Sequence, residues 1–282
     1  MLVMRTKYSE FLREDVGSGD ITSELLLSPD RRAVGTVSAN EMCVLAGAKE
    51  AAEVFAELGA EATLPVPEGI RVAKGDVVLV VKGPARAILT GERLALNFLM
   101  RMSGIATLTS DLLETCRNTN PDVNVAATRK TTPGFREFEK RAVSLGGGDP
   151  HRFGLDDAIL IKDNHIVLAG GVREALRKAK AASFTKKIEV EVENEEDALI
   201  AAEEGADIIM LDNFDPSDGA RVAKAIKGKW PRVVIEVSGG IRPDNIEQYA
   251  SYADIVSLGW LTHSVRSVNF SMTVTGESTT PP

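Results

Sequence analysis

Residues 187–259 read KIEVEVENEEDALIAAEEGADIIMLDNFDPSDGARVAKAIKGKWPRVVIEVSGGIRPDNIEQYASYADIVSLG, and this run decides the fold. Four short β-rich pieces, KIEVEV, DIIML, VVIEV and DIVSL, alternate with helical segments at 195–204, 217–226 and 243–250. Parallel neighbours need crossovers of this kind, so the alternation predicts βα units around a parallel sheet. The same grammar extends back to Pro121: VNVAA precedes a helix at 135–145, and AILI precedes one at 172–181. Repeated right-handed βα units commonly close into a barrel. Six units fall short of eight, so the expectation is an α/β protein with an incomplete, open barrel of about six to seven parallel strands.

Upstream of Pro121 the pattern differs. A short amphipathic helix at 8–14 leads into an acidic, Gly-rich loop, DVGSGDIT, over 15–22. Strand-like alternation at 33–46 and a helical period at 48–58 follow, then hairpin spacing resembling lipoyl- or biotinyl-type sandwich domains, without a lysine at the tip for cofactor attachment. From 86 to 117 the pattern is helical, with Leu94, Phe98 and Met102 on the apolar side and Arg93, Asn97 and Arg101 in a polar row. That row is either a solvated face or a source of an arginine reaching into a site or across an interface. Ser103-Gly104 permits either close packing or a break. The expected domains are therefore 1–117, with or without 266–282, and 118–265, the latter carrying most of the active site. The tail from 271 is polar and reads as frayed, unless VNFSMTV forms a last strand.

Composition limits the function. The chain has 282 residues, 44% hydrophobic and 26% charged, with a formal net charge of −8. Such an acidic chain lacks the basic footprint of a general nucleic-acid binder, so attraction for an anionic ligand must be local. Cys43 and Cys116 have no metal-ligand spacing and read as buried thiols in a reducing compartment. No apolar run reaches membrane-spanning length and no signal-peptide pattern opens the chain, so a soluble, cytoplasmic protein is expected.

Ligands of such barrels bind at the carboxyl ends of the strands. The strands end, in order, at Arg129-Lys130, Lys162, Glu191, Asp212, Ser238-Gly239-Gly240 and Gly259. Guanidinium forks suit carboxylates and phosphates, and lysines supply point charges. The Arg-Lys pair opens the stretch TRKTTPGFREFEKRAVSLGGGDPHRFGLDDAILIKDNH at 128–165, which also supplies His151 and Arg152. Its two ends are expected on neighbouring strands. Gly146-Gly147-Gly148 either terminates a helix or hinges a lid, and His165 reads as a supporting or core histidine. Glu189, Glu191 and Glu193 must share one sheet face and need cations or a metal as partners. Asp212 is either a ribose or Mg²⁺ partner or a helix cap, with Asp215 and Ser217 better placed to cap. Ser238-Gly239-Gly240 and Gly259 leave backbone N–H groups open to a phosphate.

The stretch 128–165 resembles the signature of the quinolinate phosphoribosyltransferase family, the carboxylating nicotinate-nucleotide pyrophosphorylases. LREDVGSGDIT, GERLALNFL, SGIAT, VEVEN, LDNF, VSGGI and SLGWLT resemble family segments in the family's order, so the likeness covers nearly the whole chain. It implies an N-terminal α/β sandwich domain beside the incomplete barrel. It also implies transfer from phosphoribosyl pyrophosphate to quinolinate with Mg²⁺, giving nicotinate mononucleotide, pyrophosphate and CO₂ in NAD biosynthesis. Arg129, Lys130, Thr131, His151, Arg152 and Lys162 would hold the carboxylates and phosphates. Glu191 and Asp212 would meet the ribose hydroxyls and the metal, with Lys162, Glu191 and Asp212 as the catalytic candidates. Ser238, Gly239, Gly240 and Gly259 would cradle the 5-phosphate. Arg93 would come from the second subunit of a homodimer with shared sites, which a trimer of dimers would also contain.

Overall fold

In the computed structural model, which describes residues 7–182 and 184–277, the first elements are α1 (Lys7–Val16), α2 (Ile21–Leu26), β1 (Arg32–Ala39), β2 (Cys43–Val44) and α3 (Ala48–Glu57). Next come β3 (Glu61–Thr63), β4 (Arg71–Val72), β5 (Val77–Pro84) and the long α4 (Ala85–Thr119). The βα run then follows as β6 (Asn124–Ala126), α5 (Arg136–Leu145), β7 (Ile159–Ile161), α6 (Asp163–Ala169), α7 (Val172–Ala182) and β8 (Ile188–Val192). It continues with α8 (Glu195–Glu203), β9 (Ile208–Asp212), α9 (Pro216–Lys229), β10 (Val234–Ser238), α10 (Ile246–Ala250), β11 (Ile255–Ser257) and α11 (Trp260–His263), and β12 (Phe270–Gly276) ends the order. The chain forms two units, residues 1–107 with 266–282 and residues 108–265.

In the first unit β1 alternates buried and half-exposed positions, the period of a strand with one face on a core. It pairs antiparallel with β5 on one side and β12 on the other, and β3 extends the sheet past β5. Residues 270–276 are therefore a strand, registered from Ala39↔Phe270 to Ala33↔Gly276. Of the tail that reads as frayed, 271–276 is paired, and residues 278–282 lie outside the described residues. The acidic loop is a cap: Asp20 accepts from Ser23 N–H at 3.0 Å, Ser23 Oγ at 2.6 Å and Thr90 Oγ1 at 3.1 Å, starting α2.

Helix α4 runs unbroken through Ser103-Gly104. A Cβ on Gly104 would lie 2.4 Å from the Arg266 carbonyl oxygen, so the glycine serves close packing. Ser103 Oγ accepts from Ala46 N–H at 3.0 Å and donates to Ala46 O at 2.9 Å, which satisfies a buried hydroxyl. Cys43 and Cys116 are free and buried, and desolvation pushes both thiols up to about 11.

In the second unit the six parallel strands stand in the order β6-β11-β10-β9-β8-β7. The sheet is open, with β6 and β7 at its two edges. The ends of the 128–165 stretch therefore do not lie on neighbouring strands, because β6 pairs with β11 on one side and is met on the other by Asp149 rather than by β7. The intervening chain adds to that edge instead. Asp149 donates its N–H to Val125 O at 2.8 Å and accepts from Ala127 N–H at 2.9 Å, forming a parallel bridge to Ala126. The glycine triplet ends α5, with the Gly148 N–H closing onto Val143 O at 3.0 Å, and so drops the chain against β6.

The far end of the sheet is stitched by a repeated device. Asp207, just before β9, accepts from Ile188 N–H at 2.8 Å, and Asp254, just before β11, accepts from Ile235 N–H at 2.7 Å. Each satisfies a strand-entry amide that the ladder would leave open. Among the described residues no helix is long and apolar enough to cross a membrane.

Candidate active site

A cavity of about 360 Å³ opens at the carboxyl ends of these strands. Arg129 and Lys130 follow β6, His151 and Arg152 come from the edge-filling segment, and Lys162 follows β7. Glu191 stands on β8, Asp212 on β9, and Glu236 and Ser238 on β10. Four permanent cations thus face three carboxylates, and the acidic chain becomes locally cationic where it is concave.

The floor is an ionic cluster. His151 Nε2 lies 3.3 Å from Glu189 Oε2 and 3.5 Å from Glu236 Oε2, and both glutamates are buried. Burial works against charge on the ring, but the Glu189 and Glu236 carboxylates beside Nε2 outweigh it and push His151 up to about 10. Burial pushes the Glu189 carboxyl up. Arg129 Nε is buried without a hydrogen-bond partner, and burial together with Arg129 pushes Arg152 down. Arg129 itself is half-buried at the cavity, and a guanidinium with an unused N–H there can donate to an anion.

The rim is wetter. Lys162 Nζ donates to Glu191 Oε2 at 2.6 Å, and the lysine side chain is 43% exposed. Lys162 also starts α6, its N–H donating to His165 Nδ1 at 3.1 Å, so His165 supports a cavity residue from behind. Asp212 accepts from Asn213 Nδ2 at 2.6 Å. Burial raises its carboxyl first, then Glu191 and Glu193, against Lys130 and Lys162. Of the three alternating glutamates, Glu189 is buried, Glu191 half-buried and Glu193 exposed, a gradient from floor to solvent. Asp215 holds the N-cap position of α9 without a side-chain capping bond, and Asp212, three residues earlier, lines the cavity.

A second hollow of about 370 Å³ shares Lys130, Ser238 and Ser257 with the first. Gly239, Gly240, Arg242, Gly259 and His263 also line it. Gly239 has φ +85°, and a Cβ there would lie 2.4 Å from Asn213 Oδ1, so only glycine fits beside β9. Gly240, at φ +63°, has open space where a Cβ would stand. Neither glycine carries a side chain between the backbone and the hollow, so a ligand can approach the main chain closely there.

Of the residues singled out in the sequence, Arg129, Lys130, His151, Arg152, Lys162, Glu191, Asp212 and Ser238 line the first hollow, and Ser238, Gly239, Gly240 and Gly259 line the second. Thr131 does not line either; its hydroxyl oxygen accepts from Arg136 Nε at 3.0 Å and shapes the turn. Arg93 stands exposed on α4 in the first unit. Sequence reasoning missed Glu236, although a lone glutamate inside the apolar run VVIEV is the signal it missed. It also missed Arg242 and His263, which have no comparable pattern.

Joined hollows at the strand ends, one cationic and one lined by glycine amides, define an enzyme site for a small polyanionic substrate. The family model for the quinolinate phosphoribosyl transferase C-terminal domain matches residues 105–273, and that for the N-terminal domain matches 20–103. The chain belongs to the quinolinate phosphoribosyltransferase family. It is 44% identical over 271 residues to a Methanothermobacter thermautotrophicus protein described as a probable carboxylating nicotinate-nucleotide pyrophosphorylase, covering 95% of this chain and 97% of that one. It is 41% identical over 240 residues to the human carboxylating nicotinate-nucleotide pyrophosphorylase, covering 84% and 81%. The fold matches the crystal structure of NadC from Streptococcus pyogenes with a TM-score of 0.90 at 41% identity, over 96% of each chain.

Proposed function

We infer that this chain transfers the phosphoribosyl group of phosphoribosyl pyrophosphate to quinolinate and releases CO₂, giving nicotinate mononucleotide and pyrophosphate for de novo NAD biosynthesis. The observation that carries the reading is the joining of a cationic cavity to a glycine-lined hollow through Lys130 and Ser238. A ring dicarboxylate needs several fixed donors in one place, and a phosphoribosyl donor needs an open, side-chain-free stretch of backbone within reach of them.

In this reading Arg129, His151, Arg152 and Lys162 hold the quinolinate carboxylates, with Thr131 fixing the turn behind Arg129 and Lys130 facing both substrates. Ser238, Gly239, Gly240 and Gly259 receive the 5-phosphate. Loss of pyrophosphate builds positive charge on the sugar, which the carboxylates of Glu191 and Asp212 stabilise while orienting its hydroxyls. The cations of the cavity then face a substrate fixed for attack by its ring nitrogen, and fixing two reactants in one geometry removes much of the barrier.

Glu191 and Asp212 also fit Mg²⁺. They are hard oxygen donors that line the same cavity, the ligand type this cation takes. When bound, Mg²⁺ offsets the charge of the departing pyrophosphate. Arg93, exposed on α4, serves the site of a second subunit in a homodimer, which a larger assembly of dimers would retain. The two free, buried thiols suit a reducing cytoplasm.

The test is incubation with quinolinate, phosphoribosyl pyrophosphate and Mg²⁺. Nicotinate mononucleotide and CO₂ are expected in equal amounts, with no product when nicotinate replaces quinolinate; no product from quinolinate overturns the reading. Mixing Arg93→Ala with Lys162→Ala protein should restore part of the activity each lacks, and no recovery counts against an Arg93 shared between subunits.

A further inference from the structure

The floor of the cavity holds two carboxylates that no substrate group calls for. Glu189 is 3% exposed and Glu236 0%, and Glu189 Oε1 and both oxygens of Glu236 have no hydrogen-bond partner. Two acids buried this way are costly unless a cation compensates them. The ring facing both is His151, with Nε2 at 3.3 Å and 3.5 Å. Its other nitrogen, Nδ1, has no hydrogen-bond partner among the described residues, and the side chain lines the cavity.

The main chain at His151 is held independently of the ring. Its N–H donates to Asp149 Oδ1 at 2.6 Å, and the buried Lys140 ammonium donates to the Pro150 carbonyl. His151 has φ 51°, a left-handed conformation that a non-glycine residue adopts at some cost. Strain of this kind persists where the surroundings over-determine a side chain's aim.

We propose that Glu189 and Glu236 are positioning residues for substrate recognition: together they clamp His151 through Nε2 as an imidazolium, which presents its Nδ1–H to a carboxylate of the bound dicarboxylic ring. The inference rests on the quinolinate reading above. The need for the clamp follows from the neighbours. Burial by itself works against charge on the ring, and Arg129, Arg152 and Lys162, which line the same cavity, are no partners for a cation. A neutral ring with its proton on Nε2 would turn an acceptor nitrogen toward the substrate carboxylate, which repels it. Two buried carboxylates reverse both outcomes, keeping the proton on each nitrogen. The three residues also offer donor atoms within 4.8 Å of one another, as a metal cage would, but the surrounding cations oppose a dication at this depth.

Ring nitrogen-15 spectra at about pH 8 test the clamp directly. The chain has three histidines, so single substitutions assign them. Wild-type His151 should show the imidazolium pattern and Glu236→Gln the neutral one; a neutral ring in the wild type overturns the proposal. In steady-state kinetics Glu236→Gln should raise the quinolinate KM roughly ten-fold or more, the effect of losing a charge-assisted hydrogen bond, and leave the phosphoribosyl pyrophosphate KM unchanged. Combining it with His151→Gln should add nothing beyond His151→Gln alone. An unchanged quinolinate KM, or an equal loss toward both substrates, overturns the clamp, as does one equivalent of metal retained at the floor after chelation. If the wild type does not turn over quinolinate but His151 is charged, the proposed reaction fails and the clamp stands. If Glu236→Gln does not fold, Glu189→Gln and the wild-type spectra decide.

Discussion

Glu189 and Glu191 lie two residues apart on one face of β8, yet they have opposite surroundings. Glu189 is buried against a histidine and a second glutamate, whereas Glu191 pairs with a lysine that is 43% exposed. The floor pair sits in low dielectric, where charge must be matched permanently. The rim pair meets solvent, where an ion pair is weak and exchangeable. One strand therefore carries a fixed electrostatic support below and a replaceable partner above, and depth along the barrel axis separates them. A substrate or dication arriving at the rim can take over Glu191 at little cost, while nothing arriving there disturbs Glu189.

The comparison breaks most sharply at the rim. Asp212→Asn should lower kcat/KM by about 100-fold or more if its charge meets the sugar and the metal, measured at saturating Mg²⁺. The same change should make the protein more stable at neutral pH. The Asp212 carboxyl is raised by burial and by Glu191 and Glu193, so its proton is bound more tightly in the folded state. Its contribution is favourable at low pH and is lost as pH rises through the folded value. Melting curves should show the variant ahead of the wild type near pH 7 and level with it well below the ordinary aspartate range. A variant that is less stable at neutral pH would count against an uncompensated carboxylate there.

The floor titrates in the same direction but over a higher pH window. His151 is raised from 6.5 to about 10, so its stabilising contribution is complete below about 6.5 and disappears as pH climbs through about 10. The stability difference between the wild type and His151→Gln should shrink over that window, followed by denaturant unfolding at several pH values. A difference that does not vary with pH would mean the ring is not charged in the fold. The smallest effect is expected at the glycine-lined hollow. Gly239→Ala forces a side chain into φ +85° and against Asn213, and should raise the phosphoribosyl pyrophosphate KM by about ten-fold while leaving the quinolinate KM nearly unchanged. Equal changes in both would show that the two hollows act as one.

Much of the barrel half was legible in the chain. Period and punctuation marked each βα unit, because alternation, turn residues and caps are local properties. Arg129, Lys130, Lys162, Glu191, Asp212 and the glycines were readable as strand-end residues once the parallel sheet was accepted. The places that resisted were those set by long-range pairing. The chain order suggests that β6 and β7 are neighbours, whereas β11 sits beside β6 and Asp149 fills the edge. Glu236 looked like an ordinary residue of an apolar run until β8 and β10 were seen to aim it and Glu189 at one ring. Ser103-Gly104 left a break or close packing open, and only the Arg266 carbonyl against α4 decided for packing.

The sequence alone determined which residues carry charge, where the strands stop and which positions lack a Cβ, since these follow from residue chemistry and local period. The tertiary structure decided depth and partnership: which glutamate of β8 is buried, which cation faces it, and that a histidine from a loop completes the floor. Those outcomes depend on strand order and on desolvation, and neither is a property of any short stretch of chain.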